Sequence, residues 1–452
     1  MSSRKLRLGA FFSMPGNHLG GWRHPDAVPN ANTDFATYLH LAQVAERGLY
    51  DTIFFRDTAA VAGADAMHAG DRSRARLARL VALEPVMALA GMASVTRNIG
   101  LIATATTTYN EPYNLARRFA TLDHMSNGRA GWNLVTSQFE DEAANFGFSQ
   151  HPDHASRYAR AEEFYDVVAG LWDSWEPDAF LYDKKEGMYF DFDRMHFLEH
   201  KGAHFDVRGP LNLPRTPQGR PVVAQAGSSG PGMDLAARTA DLVFTAQLEI
   251  PEARAFYIAL KDRMARYGRA PDELLILPGL TPIVGRTMAE AQAKYDELQD
   301  LMPDDVALNS LARLSGGLDL TKFPLDGPLP DLPPTNSGKS RQQLAIDLAR
   351  RNNMTLRQIA RHMASAAGHR VLVGTPTSIA DEMQAWLDAD AADGFNIICN
   401  HYPVPFEEFT TMVIPELQRR GIFRTAYEGR TLRENLGLRV PVNRYVAAKA
   451  RS

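Results

Sequence analysis

The chain has 452 residues, too many for one ordinary small domain, and its 45% hydrophobic and 23% charged content suits a globular fold with a sizeable core. Disordered and fibrous classes are thereby excluded. Lys plus Arg number 49 and Asp plus Glu 53, so the net charge of -4 gives no footprint for binding nucleic acid through its phosphates.

In chain order, the pattern is strand then helix. Leu6 to Ser13 is an apolar run stopped by Met14-Pro15-Gly16 and reads as a strand. Asp34 to Arg47 has helical spacing and stops at Gly48. Thr52 to Phe55 is a second strand, Glu84 to Val95 a helix, Ile99 to Thr107 a third strand and Pro112 to Met125 its helix. Arg129 to Thr136 is a fourth strand, and His154 to Trp172 a long amphipathic helix. Pro221 to Ala226, Leu242 to Ala246 and Leu274 to Val284 are strands, followed by helices at Met233 to Thr239, Pro251 to Tyr267 and Met288 to Leu301. A helix over Thr377 to Ala389 precedes the last strand, Phe395 to Asn400. Eight strands alternating with helices predict a parallel sheet, and eight such units favour a closed α/β barrel over an open sheet.

A bare barrel of this kind needs roughly 250 residues, so the excess must lie in insertions. The chain reads as one barrel domain over 1–452, with insertions near 177–217 and 302–370 and a tail over 421–452. Pro177 to Pro217, charged and aromatic, predicts a hairpin-forming excursion. Gly316 to Ser340 is rich in Gly, Pro and Ser and cannot be a regular helix or strand; such a segment reads as a lid, a binding loop or a linker.

One cysteine, Cys399, excludes an intrachain disulfide and a thiolate zinc site, and reads as a buried small hydrophobe. The start of the chain lacks a signal-peptide pattern, and no run of about 18 apolar residues occurs, so a soluble cytoplasmic protein is expected.

Candidate chemistry gathers where strands end. Gln225-Ala226-Gly227-Ser228-Ser229-Gly230 follows a strand and opens a helix, which suits an anion held by backbone N–H groups; an ordinary turn with a capping serine stands at even odds. His154 and Tyr158, one turn apart, share a helix face and suit a phosphate, although a helix start capped by Asp153 is the commoner meaning. Asp57 lies just past the second strand, where a carboxylate reads as functional or as an ion-pair partner of Arg56. Thr104 in the third strand, with Thr106 to Thr108 beyond it, lines a site or reflects β propensity. Asn133 is a polar group inside the fourth strand and must find a partner. His18, after the first strand, is a proton-transfer candidate or a surface residue. His196, His200 and His204 have a tempting spacing, but Gly202 breaks any helix there, so no metal is expected. No G-x-x-x-x-G-K-[ST] or G-x-G-x-x-G loop occurs.

Taken together, FFSMPGNHLGGWRHPDA, YDTIFFRDT, the long stretch from EPVMALAGMASV to SNGRAGWNLVTS, HPDHASRYARAEEFYDVVAGLWDSW, VVAQAGSSGPGMDLAARTADLVFT and TLRENLGL are familiar in this order. The chain resembles the bacterial luciferase-like superfamily of flavin-dependent monooxygenases, nearest its nitrilotriacetate and dibenzothiophene-sulfone branch. The resemblance implies a (β/α)8 TIM barrel with insertions. It also implies FMN, supplied reduced by a separate NAD(P)H:flavin reductase, and a flavin C4a-(hydro)peroxide that oxidises a C–N, C–S or C–H bond of a small organic substrate with O2. By motif position, Asp57, Thr104 and Asn133 would lie near the flavin ring; His154, Tyr158 and Ser228, with Ser229 beside them, would hold its phosphate; His18 would face the reacting flavin. Met14 stands where one relative has Cys, so no thiol role is expected there. The irregular segment at Gly316 to Ser340, with the Pro177 to Pro217 excursion, is the expected lid. The alternatives are a deazaflavin-dependent oxidoreductase on the same barrel, a non-catalytic flavin-binding protein and, more distantly, a metal-dependent hydrolase. The tail after Gly421 is long enough to brace a partner subunit, and a dimer or tetramer is expected.

Overall fold

A computed structural model describes residues 4–450, apart from positions 62, 69, 71–72, 138, 313, 317 and 336–338. Eight strands build the sheet: β1 (Arg7–Phe12), β2 (Thr52–Phe55), β3 (Gly100–Thr106), β4 (Ala130–Val135), β5 (Val222–Gln225), β6 (Leu242–Thr245), β7 (Leu275–Val284) and β8 (Gly394–Ile398). All pair in parallel, in the order β6-β5-β4-β3-β2-β1-β8-β7, and β6 pairs with β7 to close the ring. This is a TIM barrel, and every strand expected from the sequence is one of its staves.

Two apolar layers explain the closure. Inside the ring, Phe11, Phe54, Ile102, Val222, Phe244, Leu277 and Ile398 pack together, with Phe11 and Phe244 ring centroids 4.8 Å apart. Between strands and outer helices, Leu8, Ile53, Leu101 and Trp132 meet Leu89, Phe119 and Phe164. Gly9 is demanded by close approach: a Cβ there would stand 2.0 Å from Asn396 Oδ1. The floor of the barrel is sealed by the tail, whose short helix Leu432–Leu436 adds Leu432 and Leu436 to the inner layer, with Leu438 just past its end. Arg433 locks it there by donating to Asp241 at 2.8 and 2.9 Å, and Arg424 donates to buried Asp51.

The outer helices fall close to their expected positions, Pro112–Met125 and His154–Trp172 matching at both ends. The 177–217 excursion holds two small hairpins, Phe180–Asp183 with Met188–Phe190 and His200–Lys201 with Asp206–Val207. Between β7 and β8 lie features that the sequence pattern did not reveal. They are the helices Asp304–Ala312, Lys339–Arg351 and Leu356–Ala366, and a ninth strand, Arg370–Gly374, which extends β7. These helices share an apolar centre of their own, built on Met302, Val306, Leu311, Leu356, Ile359 and Met363. The Gly/Pro-rich segment is strapped onto that centre by Leu318, Leu320, Phe323, Leu325, Leu329 and Leu332. Among its described residues it carries one short 3-10 turn, Leu320–Lys322, and helix begins again at Lys339, so the last two residues of the range expected to be irregular are helical.

Candidate active site at the barrel mouth

Because all eight strands run the same way, their C-terminal ends meet at one face, where barrel enzymes place their chemistry. Along β3 and β4, in register at Thr104 and Asn133, a short relay forms. Thr104 Oγ1 donates to the Phe55 carbonyl at 2.6 Å, and Asn133 Nδ2 donates to Thr104 Oγ1 at 2.7 Å. The relay orients the Asn133 amide and leaves its Oδ1 buried with no partner, an acceptor that calls for an N–H donor. Asp57 stands exposed at the rim after β2. The protein crowding around it, with the like charges of Glu84 and Glu142, pushes its carboxyl up to about 6.

On the β4–β5 side, Asp153 caps the helix that carries His154, accepting from the Ser156 N–H at 3.0 Å, as the plain reading expected. His154 and Tyr158 do face each other, ring centroids 4.6 Å apart. The Tyr158 hydroxyl reaches the turn after β5: a Cβ on Gly227 would lie 3.3 Å from it, and one on Gly232 3.0 Å. Ser229 caps the helix Gly230–Thr239, accepting from the Gly232 N–H at 3.2 Å, while Ser228 is exposed. Thus His154, Tyr158 and the Ser228–Ser229 turn form one cluster beside a helix N-terminus, with its partial positive charge. Arg157, which sequence reasoning passed over, is buried next to them and donates to the carbonyls of Thr136, at 3.1 Å, and Ser137.

His18 lies on the other side of the mouth and is buried. Its loop is tied to the end of β8: the Asn17 N–H donates to the Cys399 carbonyl at 2.8 Å, and the His18 N–H to the Asn400 carbonyl at 3.2 Å. Gly16 allows this approach, since a Cβ there would be 2.2 Å from the Asn400 carbonyl oxygen. Burial, and then Arg79, push the His18 imidazole down to about 4, so it is neutral near pH 7. The Gly20 N–H donates to its Nδ1 at 3.2 Å, which puts the ring proton on Nε2, and that atom is buried without a partner. Arg79, which donates to the Asn17 carbonyl at 2.7 Å, and His401, next to Asn400, flank this loop, and His369 lies on Phe244 of the inner layer; none was singled out from sequence. Only His401 carried a sequence signal, its place directly after the last strand.

The three histidines at tempting spacing do not converge; His204 offers only its backbone N–H, to Glu163 at 2.9 Å. His196 pairs with Glu176 at 2.7 Å and His200 with Glu163 at 3.0 Å, two different carboxylates. Among the described residues no group of three His, Cys, Asp or Glu is gathered as for a metal ion. Cys399 is buried, and its thiol is pushed far up by burial. No helix among the described residues is long and apolar enough to cross a membrane.

Residues 12–393 match the family model for luciferase-like monooxygenases. The chain is 49% identical over 449 residues to N-acetyl-S-(2-succino)cysteine monooxygenase of Bacillus subtilis (strain 168), covering 98% of this chain and 100% of the relative. It is 50% identical to nitrilotriacetate monooxygenase component A of Aminobacter aminovorans, covering 98% of each. A crystal structure of riboflavin lyase with modified FMN and riboflavin superposes with a TM-score of 0.85 at 32% identity, covering 97% of both chains.

Proposed function

The chain belongs to the luciferase-like monooxygenase family and is a monooxygenase, and from that premise we propose that it is the oxygenating component of a two-component system. In this reading a separate NAD(P)H:flavin reductase supplies reduced FMN, and a small organic substrate is oxidised with O2 at a C–N, C–S or C–H bond. The observation that carries it is near-full-length similarity to a relative that is itself named as one component of a monooxygenase. That similarity favours this reading over the deazaflavin-dependent and non-catalytic ones. A cytoplasmic dimer or tetramer completes the proposal.

The residues present suit FMN. A phosphate dianion fits the cluster of His154, Tyr158 and Ser228 at a helix N-terminus, where the side-chain-free faces of Gly227 and Gly232 leave room beside the Tyr158 hydroxyl. Ser229 spends its oxygen on the cap and acts by fixing the turn. The orphaned Asn133 Oδ1 suits the N–H edge of a flavin ring, with Thr104 holding the amide in place and Asp57 at the rim. When bound, reduced FMN supplies the electrons that activate O2. The chain's own share is positional and protic. His18 holds a proton on Nε2 in a dry setting, placed for transfer to a reacting atom. The helices inserted between β7 and β8 keep water from that side of the mouth; the Leu19 N–H donates to the Ala364 carbonyl at 3.2 Å, stitching the His18 loop to the insertion.

The test is a substrate panel run with purified protein, a generic flavin reductase, NADH and FMN, reading O2 uptake against hydrogen peroxide. Substrate-dependent oxygen incorporation that needs the reductase is expected. Oxygen consumption that yields only peroxide for every substrate would count against the reading.

A further inference from the structure

The side of the mouth beneath the insertion carries an unusual excess of hydrogen-bond donors. Arg341, on the inserted helix Lys339–Arg351, donates from Nη2 to His369 Nε2 at 2.8 Å. A guanidinium only donates, so the His369 proton must be on Nδ1, and Nδ1 is buried without a partner. Arg341 Nη1 is buried without a partner as well, and among the described residues no carboxylate pairs with this guanidinium. Asn17 accepts from Arg79 at Oδ1, 3.2 Å away, so its Nδ2 is the donor, again buried and unmet. His18 Nε2–H is a further one, and His401, stacked on His24 at 4.2 Å, has neither ring nitrogen partnered.

These groups share one neighbourhood. The charges that act on His369 are those of Arg341 and Arg79, and Arg79 also acts on His18, whose N–H binds the carbonyl of Asn400, the residue before His401. None of those charges is acidic. His369 lies flat on Phe244, ring centroids 4.9 Å apart, so the cluster rests directly on the inner layer of the barrel. A buried donor without an acceptor is rare, and five side chains with such donors, one of them the Arg341 guanidinium that no described carboxylate meets, amount to a site awaiting acceptors and negative charge. A single carboxylate gathers its roughly four acceptor sites at one point, whereas these donors are carried by separate segments, the first loop, the insertion and the residues after the last strand.

We infer that Asn17, His18, Arg79, Arg341, His369 and His401 form the substrate side of the site, and that the substrate is an anion bearing at least two carboxylates. The inference rests on the monooxygenase reading for calling this ligand a substrate, but the anion site itself is tested by binding alone.

Binding is measured calorimetrically on the full chain with nitrilotriacetate, inorganic phosphate and dibenzothiophene sulfone as probes, and FMN affinity is measured separately. Wild-type protein is expected to bind nitrilotriacetate at least tenfold more tightly than either other probe, and more weakly as salt rises. Arg341→Met should weaken that binding at least tenfold and Arg341→Lys less, with FMN affinity within twofold of wild type. The salt dependence keeps the test decisive should Arg341→Met fail to fold. No saturable nitrilotriacetate binding, equal binding of phosphate or the sulfone, or unchanged binding in Arg341→Met would overturn the inference. Nitrilotriacetate binding in a protein that binds no FMN would strike the flavin reading and uphold this one.

Discussion

On the β4–β5 side of the mouth, Ser228 stands in solvent and the polar groups are furnished by two helix beginnings, each capped and hydrogen-bonded. On the side of β1, β7 and β8, His18, His369 and His401 are sealed from solvent, and their ring nitrogens include unmet donors. The first arrangement suits a hydrated anion that binds with little reorganisation, as the proposed exchangeable cofactor would require. The second gives up hydrogen bonds in the empty protein, so it rewards only a guest that restores them, and selectivity of that kind is steep because an unmet buried donor is penalised. In the proposed reading, holding a cofactor and choosing a substrate would fall to surroundings of different wetness.

Four experiments would break or sharpen this contrast. The largest effect is expected for His18→Ala, on the sealed side: turnover should fall on the order of a hundredfold or more, as for loss of a general acid, with FMN affinity within twofold. Stopped-flow turnover and flavin titration separate the two, and wild-type turnover would remove His18 from the mechanism. On the open side the split should reverse. Tyr158→Phe and Ser228→Ala should each cost FMN binding about 1.5–3 kcal/mol, the worth of a hydrogen bond to a charged group; unaltered affinity in both would refute the phosphate assignment.

A third experiment uses pH. Burial holds His18 and His151 near 4 and His401 near 3, against an ordinary 6.5. Between those values and 6.5 the unfolded chain binds protons that the folded chain refuses, so these histidines make stability rise with pH across the window. Their contribution is lost as pH falls from about 6.5 toward 4. Asp57, raised to about 6 from 3.8, works in the opposite sense between those two values. The Tm of the cofactor-free protein should therefore drop between pH 7 and pH 5, less steeply in His401→Gln; an identical slope would mean that His401 is not held neutral. The smallest effect is expected for Cys399→Ala, about 1 kcal/mol of stability with turnover unchanged.

The barrel was legible because each stave is a short apolar run closed by turn residues, and strand periodicity survives in a single sequence. The relay of Thr104 and Asn133 and the cluster of His154, Tyr158 and Ser228 were legible for a related reason: each lies at a strand end or on one helix face. The insertion was not. Leucines in its Gly/Pro-rich segment, such as Leu320, belong to a core that periodicity does not reveal. Arg341, His369 and His401 share no motif spacing, since they come from separate segments, and tautomers follow only from who donates to whom.

The seal on the barrel floor has a consequence for how the protein is made. β1 must wait for β8 as its neighbour, and the inner layer stays open below until Leu432 and Leu436 arrive. At a synthesis rate of roughly 5–20 residues per second, the first strand therefore spends tens of seconds on the ribosome without its final partner. A nascent chain stalled before residue 432 would hold all eight staves and still lack its plug, so a protease should distinguish it sharply from the finished protein.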